Sequence, residues 1–455
     1  MQGEKIILNP KTRSLCPVCL MSVDAIVSFI EGVVRIEKQC PVHGFFESPH
    51  FWSDIKLYLA MKRIAEMSTG DTQPDNLGLY LTQRCNLNCS YCYLEDSPER
   101  IQELNINEIL KSISGFQGST IILSGGEPTL REDLFDIINK IKLRGYRIIL
   151  ATNGISVSRE YANKLKSSGL SLAMVSFTTF DNLQSKILHS INVVEAKKLA
   201  VENLEAVGIP VFLYIPVLRG KNDGEIGKFI DYAKHVNAIK AVDFNVITHP
   251  GGFSENLTLS QSEIIDLIAR YTDVTPEDFI DCTFFIHLVY ETLRKLFGYW
   301  GRRTSGCYLS LYFIKRDNTL MPISRSIDLK YLIKRLILVN SILDSDLSFK
   351  KFKAVLKLLV SAFVVTARID SNNKVFFSIV LKKFIFKFFR KNNISAVSND
   401  FLCINVMKFN DRFNIDFEFT KVCCSYSVRS LLEKPYCACI REMYFCSSCP
   451  GGTPG

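Results

Sequence analysis

The sequence predicts an α/β protein with a partial (β/α)6 TIM-type barrel core, a small N-terminal module and a helical, cysteine-rich C-terminal extension. From residue 77 to about 245, short apolar runs alternate with amphipathic stretches of helical period. Strict alternation of this kind predicts parallel strands joined by right-handed helical crossovers. Cysteine pairs near both ends set the flanking regions apart from this core. We therefore expect four segments, spanning residues 1–53, 54–260, 261–400 and 401–455.

The core is predicted to hold six strands and five connecting helices. The expected strands span residues 77–82, 120–123, 147–151, 172–177, 211–217 and 241–246, and the expected helices span 106–113, 134–143, 158–168, 193–207 and 224–236. Six strands fit either an incomplete barrel or a doubly wound sheet. In both architectures, reactive groups collect at the carboxyl ends of the strands.

The N-terminal module carries two short pairs of candidate metal ligands. Cys16 and Cys19 form a C-x2-C pair, and Cys40 and His43 form a C-x2-H pair within the same Pro-Val frame. This spacing is typical of a tetrahedral Cys3His site for zinc or a single iron. We predict a metal-binding module in which the ion stabilises a fold too small to have its own core.

A second cysteine motif follows the first predicted strand of the core. Cys85, Cys89 and Cys92 have the spacing C-x3-C-x2-C. A [4Fe–4S] cluster normally takes four thiolates, so three compact cysteines leave one iron open. An open metal position separates a reactive site from a structural one. The motif therefore predicts chemistry at this strand end.

A glycine pair follows the second predicted strand, where Gly125, Gly126 and Glu127 precede a proline. Paired glycines let a ligand approach the backbone closely, and the Glu127 carboxylate can accept hydrogen bonds from an ammonium group. Together with the three-cysteine motif and Tyr91 before its last cysteine, this pattern resembles the radical S-adenosylmethionine (radical SAM) superfamily. The resemblance covers about residues 77–246.

The resemblance implies a cofactor, a reaction and a set of contacts. Cys85, Cys89 and Cys92 would hold a [4Fe–4S] cluster whose open iron binds S-adenosylmethionine. Reductive cleavage of that molecule would yield a 5′-deoxyadenosyl radical that abstracts hydrogen from an unactivated carbon, with an electron donor such as ferredoxin or flavodoxin as partner. The residues that the resemblance places at the cofactor are Tyr91, Gly125, Gly126, Glu127, Asn153, Ser176 and Val217.

The N-terminal module adds a narrower resemblance. Its Cys-Pro-x-Cys and Cys-Pro-x-His-Gly pairs ahead of such a core resemble the group that contains archaeal tetraether lipid synthases and pterin methylating enzymes. Residues 61–75 lack the cysteine-rich motif that this group usually carries between module and core.

The C-terminal segment carries further candidate metal ligands. They are Cys423, Cys424, Cys437, Cys439, Cys446 and Cys449. So many thiols in a short stretch favour a second iron–sulfur cluster or a zinc site. The spacing does not decide which four would bind.

The net charge of +9 comes mainly from residues 329–393, where lysines are interleaved with leucine, isoleucine and phenylalanine. Such a segment can pack on a core with a solvated basic face, lie on an anionic membrane, or bind RNA. No RNA-binding module is recognisable, so we expect no nucleic-acid partner. We also expect no signal peptide and no membrane span, which indicates cytoplasmic residence with peripheral membrane contact as an alternative.

Three functions follow from these patterns. The first is a radical SAM enzyme acting on a lipid or other hydrophobic substrate. The second is a radical SAM enzyme that modifies a peptide or RNA. The third, of another class, is a noncatalytic metal-binding protein, which would explain the terminal cysteines and leave the paired motifs at successive strand ends unexplained.

Overall fold

The N-terminal module forms a small antiparallel sheet in the computed structural model. The structure describes residues 4–50, 52–67, 75–92, 103–247, 257–297, 308–316, 318–344, 352–358, 360–361, 399–408, 413–420, 425–428 and 436–437. Strands β1 (Ile6–Leu15), β2 (Ser22–Ile30), β3 (Val33–Cys40) and β4 (Gly44–Pro49) pair in sequence order. Helix α1 (Ile55–Met67) then leads to the core.

The core is built on one mixed sheet of eleven strands. Its parallel part contains β5 (Asn76–Thr82), β6 (Thr120–Gly125), β7 (Arg147–Thr152), β8 (Leu172–Ser176), β9 (Val211–Val217) and β10 (Ile239–Val246). The remaining strands are β11 (Tyr308–Arg316), β12 (Thr319–Pro322), β13 (Phe401–Lys408), β14 (Ser425–Val428) and β15 (Tyr436–Cys437).

The described helices cover the sheet and connect its strands. They are α2 (Ile106–Ser112), α3 (Leu134–Leu143), α4 (Arg159–Ser168), α5 (Asn182–His189), α6 (Val194–Ala206), α7 (Ile226–His235), α8 (Gln261–Ala269), α9 (Pro276–Phe297), α10 (Ile323–Ser326) and α11 (Leu329–Leu343). Another short helix spans Phe417–Thr420. None of the described helices combines the length and apolar character needed to cross a membrane.

Strand order distinguishes the two architectures that the sequence left open. The strands β5 to β10 are neighbours in strict sequence order and are parallel throughout. A doubly wound sheet would reverse its order at a switch point, whereas successive crossovers in one direction build a barrel. The predicted α/β class with a partial (β/α)6 core is confirmed.

Local chemistry explains why these helices begin and end where they do. The Asn105 side chain caps α2 in a reciprocal capping box with Glu108, and Ser158 caps α4 through the Tyr161 N–H. Such caps satisfy backbone donors that have no partner inside the helix. Gly169 ends α4 with a φ of +98°, a conformation that glycine adopts without strain.

The sheet extends beyond the predicted core segment. β13 lies between β10 and β11, parallel to β10 and antiparallel to β11. At the opposite edge, β14 pairs in parallel with β5. The region 261–400, predicted as helical, thus contributes β11 and β12 as well as helices. The four segment bounds stay predictions, with the addition that three of the four segments share one sheet.

Candidate functional site

The four predicted ligands of the N-terminal module come together at one end of its sheet. Cys16 lies just after β1, Cys40 ends β3, and His43 lies in the turn before β4. The Cys40 Sγ is 3.5 Å from the His43 Nδ1, the Cys16 Sγ is 3.7 Å from the same nitrogen, and the Cys19 and Cys40 sulfurs are 3.9 Å apart.

These distances are close to those expected between the ligand atoms of a tetrahedrally coordinated ion. Bond lengths of about 2.3 Å to sulfur and 2.0–2.1 Å to nitrogen place tetrahedral ligands roughly 3.5–3.8 Å apart. All four ligand atoms lie within 4.8 Å of one another. In the described ranges, no other set of three or more cysteine, histidine or acidic ligand atoms is so compact. The donor set fits zinc or a single iron with no position left for a substrate.

The module is fastened to a segment from the other end of the chain. The Thr12 hydroxyl donates to the Asp416 carboxylate at 2.6 Å, the Ser14 hydroxyl to the Ile415 carbonyl at 2.6 Å, and the Lys38 ammonium to the Phe413 carbonyl at 2.7 Å. His50, which the sequence left without a role, lies with its Nε2 3.5 Å from Asp416, and both side chains are fully buried. Residues 413–416 therefore dock on the sheet of the N-terminal module, on the face from which Thr12, Ser14 and Lys38 project.

The loop that carries Cys85, Cys89 and Cys92 begins where β5 ends, and the end of β6 holds its first part. The Gly126 N–H donates to the Thr82 carbonyl at 2.7 Å, and the Glu127 N–H donates to the Arg84 carbonyl at 2.8 Å. A Cβ at Gly126 would lie 2.3 Å from the Arg84 carbonyl oxygen. The glycines at this position thus permit close packing of two backbones, immediately before the first cysteine.

The end of α5 holds the second part of the same loop. The Ser90 N–H donates to the Leu188 carbonyl at 3.0 Å, and the Ser190 hydroxyl donates to the Asn88 carbonyl at 3.2 Å. The Cys89 sulfur lies 3.1 Å from Nδ1 of His189, the last residue of α5. His189 is a contact that the sequence analysis missed, because 100 residues separate the two side chains.

A buried cation lies behind this loop. Lys197, on α6, is 1% exposed, and its ammonium donates to the Ser176 carbonyl at the end of β8. Burial lowers the Lys197 pKa to about 8, against the attraction of the Cys89, Glu127 and Cys85 side chains. A buried charge needs a counter-charge. No sequence signal marked Lys197, since a lysine on a helix ordinarily lies in solvent.

The Glu127 carboxylate accepts four hydrogen bonds from the protein. Its Oε1 accepts from the Thr129 N–H at 3.1 Å and from the hydroxyls of Thr129 and Thr152 at 2.6 and 2.7 Å. Its Oε2 accepts from the Asn153 N–H at 2.6 Å. Glu127 is 0% exposed. In this geometry the carboxylate joins the ends of β6 and β7, and its direct contact with a bound ammonium group stays a prediction.

The other predicted cofactor residues lie at successive strand ends. Asn153 donates through Nδ2 to the Asn86 side chain at 2.7 Å and lies 3.9 Å from the Cys85 sulfur. The Tyr91 hydroxyl lies 2.6 Å from that of Thr178. Ser176 ends β8, and Val217, 1% exposed, ends β9. Their contacts with a cofactor stay predictions, but they share the edge of the sheet that carries the cysteines.

The predicted C-terminal metal site falls mostly outside the described residues. Cys437 lies in β15, whereas the remaining candidates are not described: Cys423, Cys424, Cys439, Cys446 and Cys449. Much of the basic region 329–393 is also outside, apart from α11 and residues 352–358 and 360–361. Both remain predictions.

The cysteine loop fits an iron–sulfur cluster better than a single ion. Its three thiols are not part of a compact ligand set, as expected where each thiolate binds a different iron of a cluster. Burial raises the pKa of the Cys89 thiol to about 12, so a positively charged metal centre is needed to keep it ionised. Lys197 supplies the counter-charge for thiolates in this position.

Comparison with known families agrees with this geometry. Residues 79–233 match the model of the radical SAM superfamily, and residues 8–50 match that of the HMPTM N-terminal zinc ribbon domain. The first match contains the cysteine loop and the end of β6, and the second contains all four ligands of the N-terminal module.

Individual relatives share different portions of the chain. A 7,8-dihydro-6-hydroxymethylpterin dimethyltransferase of Methanocaldococcus jannaschii is 28% identical over 462 residues, which cover 92% of this chain and 90% of the relative. A GTP 3′,8-cyclase of Helicobacter pylori is 32% identical over 208 residues, covering 43% of this chain and 63% of the relative. The crystal structure of methylornithine synthase aligns with a TM-score of 0.37 at 20% identity, covering 48% of this chain and 67% of that one.

Proposed function

Because this chain belongs to the radical SAM superfamily of enzymes, we propose that it modifies a reduced pterin by radical chemistry, as a pterin methyltransferase. The observation that carries the proposal is the relative named as a pterin dimethyltransferase, which matches across 92% of this chain. A match over 92% of the chain spans the cysteine loop and the C-terminal strand β13 of the sheet, whereas the cyclase match covers 43% of the chain.

The cysteine loop holds the cofactors in this proposal. Cys85, Cys89 and Cys92 would hold a [4Fe–4S] cluster, which with S-adenosylmethionine would supply the radical chemistry for hydrogen abstraction. The chain positions the loop through the Gly126 and Glu127 N–H groups and through the end of α5. Lys197 balances the thiolate charge from behind.

The metal ions have separate roles in this proposal. The N-terminal zinc or iron is structural, because its four protein ligands leave no open coordination position. The electron for the cluster comes from a donor such as ferredoxin or flavodoxin. The hydrophobic or membrane-borne substrate expected from the basic region stays a prediction, as do cytoplasmic residence and membrane contact.

An anaerobic assay tests the proposed function. The full chain is reconstituted with iron and sulfide, reduced with dithionite, and incubated with S-adenosylmethionine and 7,8-dihydro-6-hydroxymethylpterin. We expect 5′-deoxyadenosine and methionine from one molecule of S-adenosylmethionine. By liquid chromatography and mass spectrometry, we also expect a pterin that is heavier by a methyl group, which a second molecule of S-adenosylmethionine supplies as it becomes S-adenosylhomocysteine. Formation of 5′-deoxyadenosine without any change in the pterin would contradict the substrate. Iron binding without cleavage of S-adenosylmethionine would contradict the radical reaction.

A further inference from the structure

A cluster of buried polar side chains lies on the inner face of the core sheet, away from the helices. On β10, Val242, Phe244 and Val246 are at most 1% exposed and belong to the main hydrophobic core, where α7 packs against the strand. Side chains alternate between the two faces of a strand. Asp243 and Asn245 therefore face the interior of the partial barrel, and they are 2% and 1% exposed.

The register of the sheet extends this cluster across three strands. Asp243 lies opposite Asn405 on β13, which lies opposite Ser310 on β11. The Asn405 amide donates to the Asp243 carboxylate, the Ser310 hydroxyl donates to the Asn405 Oδ1 at 2.7 Å, and the Tyr308 hydroxyl donates to Asp243 at 3.3 Å. We call Asp243, Asn245, Tyr308, Ser310 and Asn405 the interior polar cluster.

Asn245 presents an unused acceptor in this cluster. Its Nδ2 donates to the Asp243 carbonyl at 2.7 Å, which fixes the orientation of the amide. No described residue donates to its buried Oδ1. A buried acceptor without a donor destabilises the folded state, so a structural role alone does not account for this atom. Asn245 is one residue from the carboxyl end of β10, at the same edge of the sheet as the cysteine loop.

The chemistry of the cluster selects a class of ligand. The Asp243 carboxylate and the Asn245 Oδ1 are acceptors, which suit a rigid ring edge that carries adjacent N–H donors. The 2-amino-4-oxopyrimidine edge, common to pterins and guanine, presents a ring N–H beside an exocyclic amine. We propose that Asp243 and Asn245 bind this edge of the substrate. The inference rests on the proposed function and names the residues that select its substrate.

A binding experiment separates this role from a structural one. The reconstituted full chain is titrated with 6-hydroxymethylpterin, followed by its fluorescence, and with the matching lumazine, in which a carbonyl replaces the 2-amino group. GTP is used as a competitor to distinguish a guanine from a pterin source of the same edge. The wild-type chain should bind the pterin at least about tenfold more tightly than the lumazine, because the lumazine lacks one of the paired donors of the ring edge.

The test variant is Asn245→Leu. The leucine has a similar shape and removes the unpaired acceptor, so we expect the chain to fold at least as well as wild type. Pterin binding should weaken by about tenfold or more. Asn340→Leu is the matched control, because Asn340 is also a buried asparagine without a donor to its Oδ1 from described residues, but it lies in α11. Its pterin affinity should stay within about twofold of wild type.

Several outcomes would overturn the inference. Equal pterin affinity for wild type and Asn245→Leu would do so, even if pterin turnover supports the proposed function. Equal binding of pterin and lumazine would exclude recognition through the amino edge. Formation of 5′-deoxyadenosine without binding of either pterin or GTP would overturn both the inference and the pterin substrate. Tighter binding of GTP, weakened by Asn245→Leu, would support the edge contact and assign it to guanine.

Discussion

The two described cysteine sites of this protein contrast in how they arrange the same residue type. In the N-terminal module, three cysteines and His43 converge within 4.8 Å at the end of a small sheet. In the loop after β5, the thiols of Cys85, Cys89 and Cys92 are close in sequence but do not converge in space to such a compact set, and His189 and Lys197 lie behind them. Compact convergence satisfies one ion completely. A spread set beside a buried cation suits a cluster with an open iron.

The largest expected effect on activity comes from removing one thiol of the loop site. Cys89→Ala should reduce the iron and labile sulfide of the loop site, and with them 5′-deoxyadenosine formation, to background, because a cluster with two protein thiolates is poorly held. The metal of the N-terminal module should remain. Metal analysis of the anaerobic protein measures the metal content of both sites, and chromatography measures the formation of 5′-deoxyadenosine.

The reciprocal variant completes this comparison. Cys40→Ser should lose the N-terminal ion and lower the thermal stability of the module, because metal-binding energy there is folding energy. The iron content of the loop site should change little. If Cys40→Ser removed the loop cluster as completely as Cys89→Ala, the two sites would not be separate.

A smaller effect is expected from the glycine that supports the loop. In Gly126→Ala the new Cβ would lie 2.3 Å from the Arg84 carbonyl oxygen and 2.7 Å from that of Gln83. Displacing this backbone should cost about 1–3 kcal/mol of stability and lower the retention of iron. Denaturant unfolding and iron analysis measure the two effects.

A matched glycine provides the control. Among the described residues, none beyond its chain neighbours would come within 4 Å of a Cβ at Gly115, and the φ of Gly115 is not positive. Gly115→Ala should therefore leave stability and iron content near wild type. Similar losses in both variants would mean that close packing against the cysteine loop is not the reason for glycine at position 126.

The smallest expected effect concerns the docking of residues 413–416 on the N-terminal module. Burial lowers the pKa of His50, against the attraction of Asp416. The unfolded chain therefore takes up a proton on this histidine near pH 6.5, whereas the folded chain resists it until lower pH. Stability should be fully present above about pH 6.5 and decline below it, lowering the thermal midpoint by a few degrees.

Histidine variants check this assignment by thermal unfolding between pH 5 and 8. His50→Gln should flatten the acid decline. His235→Gln should leave it unchanged, because His235 is 47% exposed on α7. An acid decline of the same size in His50→Gln would assign it to other groups.

Local patterns predicted the parallel core because short, mainly apolar strands alternate there with amphipathic helices. The predicted strand at 211–217 has the bounds of β9, and that at 77–82 differs from β5 by one residue. β13 could not be placed in this way, since it enters the sheet between β10 and β11 from more than 150 residues beyond β10. The insertion depends on tertiary pairing, which local periodicity does not encode.

For the candidate sites too, the sequence predicted the residues that are close along the chain and missed those that only tertiary packing brings together. Cysteine spacing located both ligand sets, because their ligands are neighbours along the chain. His189, Lys197 and the interior polar cluster were missed, because their significance arises only when distant strands and helices pack together. The buried ammonium of Lys197 is an example, since lysine is rarely found fully buried.

The contact between Thr12 and Asp416 joins positions 404 residues apart. During synthesis, the N-terminal sheet emerges first and can bind its metal while the docking segment is still untranslated. Residues 413–416 can cover Ser14, Lys38 and His50 only after nearly the whole chain has been synthesised. Docking of this segment is consequently among the last events of folding, and truncation just before residue 413 would remove the residues that Thr12, Ser14 and Lys38 contact on the metal-loaded sheet.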